Sequence, residues 1–303
     1  MSRIHEALKR AEQERAARSG FQGVSSGEPS SILQEMPLQS PTAFGNGGAA
    51  GASFVEAETF LTRCPKLEWK PDTSVMLFMN GNDAARGTEE YRTLRSRLYH
   101  LRERGSLKKV LVTSALPKEG KSFTAANLAQ VLVRQHGRRV LLIDADLRRP
   151  RLHMMLGTTP GPGLSDYLLG DADELSIMQS GQVENLFFVP GGTAIENPAE
   201  LIGNGRVKTL FDRVEQMFDW IIVDSPPAVP VSDASVLAKA CDGVLMVVRS
   251  NSTPADVARK AREEFSEESL LGIVLNGTSD EAAPYARYYY ETYEKKETAK
   301  PQG

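Results

Sequence analysis

Cysteine is almost missing from this sequence. Cys64 and Cys241 are the only two in 303 residues, they lie far apart, and they form no CxxC pair. A disulfide framework is not expected, and a reducing compartment fits. Long apolar runs are also missing: none approaches the ~18 residues that a membrane span needs. The opening stretch, MSRIHEALKRAEQERAARSG, lacks the apolar centre of a secretion signal. A cytoplasmic chain is expected, with any membrane contact made through a partner. Excess charge of one sign is missing too. Lys and Arg number 36 against 39 Asp and Glu, a formal net charge of −3, so nothing global draws the chain to nucleic acid. Aromatics are sparse at 7%, yet they are not evenly spread. Of eight tyrosines, five stand in YARYYYETYEKKE: Tyr285, Tyr288, Tyr289, Tyr290 and Tyr293.

What remains is ordinary for a globular protein, with 41% hydrophobic and 25% charged residues, enough for a sizeable core. The chain divides by composition. Residues 1–18 read as a short amphipathic helix with Ser2 as a cap and Ile4, Ala7, Leu8 and Ala11 at helical spacing. It is either a fraying terminal helix or a docking helix. Residues 19–53 are rich in Gly, Ser, Pro and Ala and hold too few large apolar side chains to offset chain entropy, so they read as a disordered linker. Residues 54–87 form a lead-in in which WKPD marks a turn and SVMLFM an edge strand.

From Thr88 to about residue 280 the pattern is regular. TEEYRTLRSRLYHLRER is a helix with Thr88 as its cap. Glu89, Arg92 and Arg95 recur every third residue along one side, as either a solvated face with a Glu–Arg pair or a subunit contact. Short apolar strands then alternate with helices: KKVLVTSA, a helix closed by Gly137, RRVLLIDAD, LFFVPGG, a helical stretch broken near Gly203–Gly205, DWIIVDSPP, DGVLMVVRS and LLGIVLN. Buried strands separated by helices predict an α/β fold, an open, doubly wound, mostly parallel sheet, with ligands beyond the carboxyl ends of the strands. Residues 281–303 are a tyrosine-rich tail.

Chemistry gathers at three strand ends. The strand VLVTSA runs into LPKEGKS and a helix. Such a loop cradles phosphate with backbone N–H groups; here Pro117, Lys118, Glu119, Gly120, Lys121, Ser122 and Phe123 would line it. Lys121 supplies a point charge and the Ser122 hydroxyl reaches Mg²⁺. The usual first glycine of that motif is Ala115 in this chain. The strand VLLIDADLRRP ends in Asp144 and Asp146, followed by Arg148. Alternate strand residues point the same way, so both acids can serve Mg²⁺ coordination and activation of a hydroxyl, or can cap the next segment. Arg148 steadies developing charge or pairs with a carboxylate. WIIVDSPP ends in a third acid, Asp224, of the kind that holds Mg²⁺ at nucleotide sites. Asn276, at the end of GIVLN, reads as a strand-end turn residue.

These motifs resemble the Walker A (Lys121, Ser122), Walker A′ (Asp144, Asp146) and Walker B (Asp224) motifs of bacterial tyrosine kinases, the BY-kinase or CpsD/CapB family of MinD/ParA-like P-loop proteins. The resemblance covers roughly residues 85–295. It implies an ATP- and Mg²⁺-dependent protein-tyrosine autokinase, with Ser122, Asp146 and Asp224 at the metal and Asp144 favoured as the base. It also sets Asn276 where related ATPases read the adenine. It matches Glu89, Arg92 and Arg95 to the family's E-x2-R-x2-R oligomerisation helix, and so implies a homo-oligomer such as a ring. It makes Tyr285, Tyr288, Tyr289, Tyr290 and Tyr293 phosphoacceptors, modified between subunits. The implied partners are a membrane polysaccharide co-polymerase that recruits the kinase to the inner face of the membrane, and a cognate tyrosine phosphatase. The implied role is control of exopolysaccharide or capsule assembly. The alternative is a ParA/MinD-type partitioning or positioning ATPase. That class carries an early loop lysine where this chain has Leu116, and it usually lacks a tyrosine tail.

Overall fold

The computed structural model describes residues 58–79 and 87–278. The amphipathic helix expected at 1–18, the linker and the tyrosine tail lie outside the described residues. Fifteen elements follow from Thr88: α1 (Thr88–Arg102), β1 (Lys109–Ser114), α2 (Lys121–Val133), β2 (Val140–Asp144), α3 (Leu152–Leu156), α4 (Leu164–Leu169), β3 (Gln179–Ser180), β4 (Leu186–Val189), α5 (Pro198–Gly203), α6 (Arg206–Val214), β5 (Trp220–Asp224), α7 (Asp233–Ala238), β6 (Gly243–Arg249), α8 (Ala255–Glu263) and β7 (Leu270–Asn276).

The strands form one seven-stranded sheet in the order β3-β4-β2-β5-β1-β6-β7. Every pairing is parallel except the short β3–β4 pair. All residues of β1, β2 and β5 are buried. That explains their unbroken apolar reading, because a strand covered on both faces has no polar side to alternate with. Two hydrophobic clusters divide the two faces. One gathers Leu141, Ile143, Ile221 and Val223 with Ile202, Phe211 and Leu237. The other gathers Val110, Val112, Leu142 and Ile222 with Leu98, Leu128 and Leu132. On the first face α6 buries Val207, Leu210, Phe211 and Val214, the i, i+3, i+4, i+7 stripe of a helix lying on a sheet. On the second face α2 is buried at every residue from Thr124 to Val133, so its sequence reads apolar all round.

Several expectations are corrected. SVMLFM is a series of turns and not an edge strand. Its apolar residues Met76 and Phe78 are buried, but its backbone is held by local turn bonds and by side chains of α2 and of Arg134 just beyond it. Asn127 accepts from the Leu77 N–H at 2.8 Å and donates to the Val75 carbonyl at 2.9 Å, and Arg134 donates to the Phe78 carbonyl. Thr88 does not cap α1 through its side chain; it is the buried first residue of the helix and Gly87, at φ 95°, stands before it. Gly137 does not close α2, which stops at Val133, although Gly137 does take φ 70° in the turn beyond. Helices α3 and α4 and strand β3 were not expected. Their segments are short and separated by the Gly- and Pro-rich run 157–163, which hides periodicity.

Candidate functional site

The sheet topology brings three acids and one lysine together. Strand β1 lies between β5 and β6, and β5 lies between β1 and β2. Asp144 and Asp224 are register partners at the ends of β2 and β5, and Asp224 is also in register with Val112 of β1. The loop that follows β1 therefore opens directly over both carboxylates. Its backbone is held in an unusual shape, with Lys118 at φ 68° and Gly120 at φ 98°. Alternation into the left-handed region turns successive N–H groups inward, the geometry of an anion-binding nest. Gly120 must be glycine on two counts: its φ, and a Cβ there would meet the Asn276 amide nitrogen at 2.1 Å.

Lys121 begins α2 and sends its ammonium into the acids. Its Nζ donates to Asp146 Oδ2 at 2.7 Å, stands 3.8 Å from Asp224 Oδ1, and lies 3.3 Å from the Ser122 hydroxyl. Burial works against the lysine's charge, but Asp224 and Asp146 outweigh it and hold its pKa above the ordinary value. Burial pushes Asp144 up to about 8, with the Asp224 charge adding to the effect. Burial likewise pushes Asp224 up to about 6, against the pull of Lys121. One cation facing three carboxylates leaves the cluster short of positive charge.

That imbalance tests the fit of a metal–nucleotide complex. The Asp224 Oδ1 atom is buried and has no hydrogen-bond partner, which is a costly arrangement unless a cation or its water completes it. Ser122 stands beside it through Lys121. Among the described residues no group of three or more His, Cys, Asp and Glu side chains is disposed to hold a metal alone. Magnesium does not require such a cage. It keeps several waters and takes one or two protein oxygens together with phosphate oxygens. The residues present fit a Mg²⁺–nucleotide.

The other expected residues divide. Asp144 has no exposed surface; its Oδ2 accepts from the N–H groups of Arg151 and Leu152, each at 2.9 Å, and its Oδ1 from Asp146 N–H at 3.3 Å. It thus fastens the start of α3 as well as belonging to the acid cluster. Asp146 keeps a little exposed surface and faces Lys121. Arg148 pairs with a carboxylate: its Nε and Nη2 grip both oxygens of Asp233, at 2.6 and 3.0 Å, while Nη1 donates to the Glu196 carbonyl at 2.6 Å. Asp233, at the first turn of α7, was not singled out in the sequence, where it reads as a helix-start acid. Asn276 donates through Nδ2 to the Glu119 carbonyl at 2.9 Å, so it supports the phosphate loop. Glu89 and Arg92 form an ion pair on α1, and Arg95 donates to the Val131 carbonyl of α2 at 2.9 Å. Two cavities of about 600 and 430 Å³ flank the loop after β4 and not the phosphate loop, which is open.

Residues 118–256 match a family model described as an AAA domain. Tyrosine-protein kinase YwqD of Bacillus subtilis (strain 168) is 38% identical over 192 residues, covering 63% of this chain and 81% of that protein. Tyrosine-protein kinase CpsD of Streptococcus agalactiae is 35% identical over 212 residues, covering 67% and 90%. Among solved structures, the chimerical protein CapA2B2 superposes with a TM-score of 0.63 at 28% identity, covering 73% of this chain and 97% of that one. With a phosphate loop, paired acids and a third acid at adjoining strand ends, and relatives of this identity and coverage, the chain belongs to the bacterial tyrosine-protein kinase family.

Proposed function

We propose that this chain is an ATP- and Mg²⁺-dependent protein-tyrosine kinase whose substrates include its own C-terminal tyrosines, Tyr285, Tyr288, Tyr289, Tyr290 and Tyr293. The observation that carries the reading is Lys121, at the mouth of an anion-binding loop and bonded to a carboxylate cluster that lacks positive charge. Family membership favours a kinase over a ParA/MinD-type ATPase.

Phosphoryl transfer needs alignment and charge neutralisation more than covalent help. The N–H groups of the loop from Lys118 to Phe123, which follow Pro117, with Lys121, would hold the phosphates; Lys121 would leave Asp146 to do so. Ser122, Asp146 and Asp224 would hold Mg²⁺, which would supply charge neutralisation at the phosphates. The Asp144–Asp146 pair takes the phenol proton. Burial holds the Asp144 pKa above the ordinary carboxylate value, which favours its taking a proton. Arg148, fixed by Asp233, keeps the loop after β2 in place.

The tail leaves from β7, an edge strand whose last residue, Asn276, is bonded to the phosphate loop. The place of β7 at the sheet edge does not by itself favour transfer between subunits. Transfer between subunits rests instead on the resemblance of the α1 residues Glu89, Arg92 and Arg95 to an oligomerisation helix. Assembly would then place a neighbour's tail at each site, and a membrane polysaccharide co-polymerase and a phosphatase would set the cycle.

Mass spectrometry after incubation with ATP and Mg²⁺, wild type beside Lys121→Met, tests the activity. Phosphate on tail tyrosines in the wild type alone supports the reading; ATP hydrolysis with a bare tail overturns it. A phosphorylation rate per chain that rises with protein concentration supports transfer between subunits, and a constant rate opposes it.

A further inference from the structure

We propose that Glu119 and Thr253 form a latch that fixes the shape of the phosphate loop from outside, which makes both of them positioning residues of the nucleotide site. The inference rests on the nucleotide-binding reading above and adds to it a residue far away in sequence.

A loop that turns its N–H groups inward must turn carbonyls outward, and each of those needs a donor. Here the donors come from the sheet edge. Arg249, the last residue of β6, donates through Nη1 to the Lys118 carbonyl at 3.1 Å. Asn276, the last residue of β7, donates to the Glu119 carbonyl at 2.9 Å. The Glu119 side chain adds a third tie. It is buried, only 3% exposed, and turns back across its own loop, where Oε2 accepts from Leu116 N–H at 2.8 Å. Its other oxygen, Oε1, accepts the hydroxyl of Thr253. Thr253 is itself fixed, since its Oγ1 accepts from Arg249 N–H at 3.2 Å. One carboxylate thus spans the loop from residue 116 to residue 119 and anchors it to the turn before α8.

A buried carboxylate held by neutral donors, with no ion-pair partner among the described residues, is an expensive residue to keep in a loop. Two consequences explain it. The Leu116 N–H is taken out of the phosphate-facing set, which fixes which amides remain for the ligand. The segment Arg249–Thr253 is also coupled to the phosphate loop, so displacing that segment would distort the cradle.

The test is binding of Mg–ADP by the full chain, measured calorimetrically well below the unfolding temperature. Thr253→Val keeps shape and removes the hydroxyl, leaving Glu119 Oε1 unpaired. An unpaired buried charged acceptor weakens the site, and the expected loss is about 10-fold or more in affinity. Thr253→Ser restores the hydroxyl and with it the affinity. The turnover number at saturating ATP falls as well in Thr253→Val, which a loss of stability alone would not produce in fully folded protein. Wild-type affinity in folded Thr253→Val overturns the latch. If that variant fails to fold, Glu119→Gln and Glu119→Ala decide. Gln can still accept from Leu116 and donate to Thr253, so binding survives in Gln and falls in Ala; equal binding in both overturns the proposal. A wild type that does not bind Mg–ADP overturns the nucleotide reading together with the latch, whereas binding that ignores residue 253 overturns the latch alone.

Discussion

Lys121 Nζ and Asp146 Oδ2 are 2.7 Å apart, and that bond carries a positive charge into the cluster of Asp144, Asp146 and Asp224. Lys121→Met removes it. Breaking a buried pair by deleting one partner typically costs ~3–5 kcal/mol, and here the loss depends on pH. Asp144 and Asp224 already sit above their ordinary value of 3.8, and without Lys121 they rise further. An acid whose folded pKa is raised contributes its stability at pH below the unfolded value and loses it as pH climbs through the folded value. The expected outcome is a variant whose deficit, in nucleotide-free protein, grows as pH rises through about 6, where Asp224 loses its proton in the wild type and keeps it in the variant, and on toward about 8 for Asp144. Urea titrations across that window check it; a deficit independent of pH would show that the acids do not feel the lysine.

Asn127 holds a segment that is not a strand. It serves Leu77 N–H, the Val75 carbonyl and the Phe123 carbonyl together. Asn127→Leu keeps the bulk and strands half-buried backbone groups at residues 75 and 77. A loss of ~1–3 kcal/mol follows from the unmade hydrogen bonds. Thermal unfolding measures it, and amide exchange at Leu77 should accelerate in the same variant.

The two-point grip of Arg148 on Asp233 cannot be copied by lysine. Asp233 is fully buried, so Arg148→Ala leaves a charge without its partner and is expected to destabilise by about 3 kcal/mol. Arg148→Lys should fall between wild type and Ala in stability and in tail phosphorylation. A Lys variant indistinguishable from wild type in both would remove the paired geometry from the argument.

The two thiols should be inert in folded protein. Burial pushes the Cys64 thiol up to about 12 from an ordinary 9.0, its Sγ donates to the Met178 carbonyl at 3.3 Å, and burial raises Cys241 as well. Alkylation goes through the thiolate, so iodoacetamide at pH 8 should label neither until denaturant is added. The same shift means that the stability contributed by Cys64 is complete below pH 9 and is lost as pH rises toward 12. Rapid labelling of Cys64 in native protein would contradict its burial.

Much of this protein can be read from its residues in order. The runs VLVTSA, VLLID and WIIVD are strands because a fully covered parallel sheet demands apolar side chains on both faces; LLGIVLN is a strand too, but a half-exposed one at the sheet edge. Lys121, Asp144, Asp146 and Asp224 can be picked out in the sequence because charged side chains at or just beyond the ends of buried strands stand out from the apolar runs before them. Even the break between α5 and α6 was visible, since Asn204 and Gly205 interrupt helical spacing. Tertiary structure decided what depends on long-range partners. SVMLFM has the composition of a strand, but Asn127, some fifty residues on, supplies its hydrogen bonds. Arg95 looks free for a neighbouring subunit in the sequence, yet it reaches Val131. Glu119 reads as one more loop residue, and only the approach of Thr253 shows what its carboxylate holds. Local pattern determines which elements form and which chemical groups stand at their ends. Which of those groups meet is fixed by the strand order, which sets Asp144 beside Asp224 and brings the end of β7 to the loop after β1.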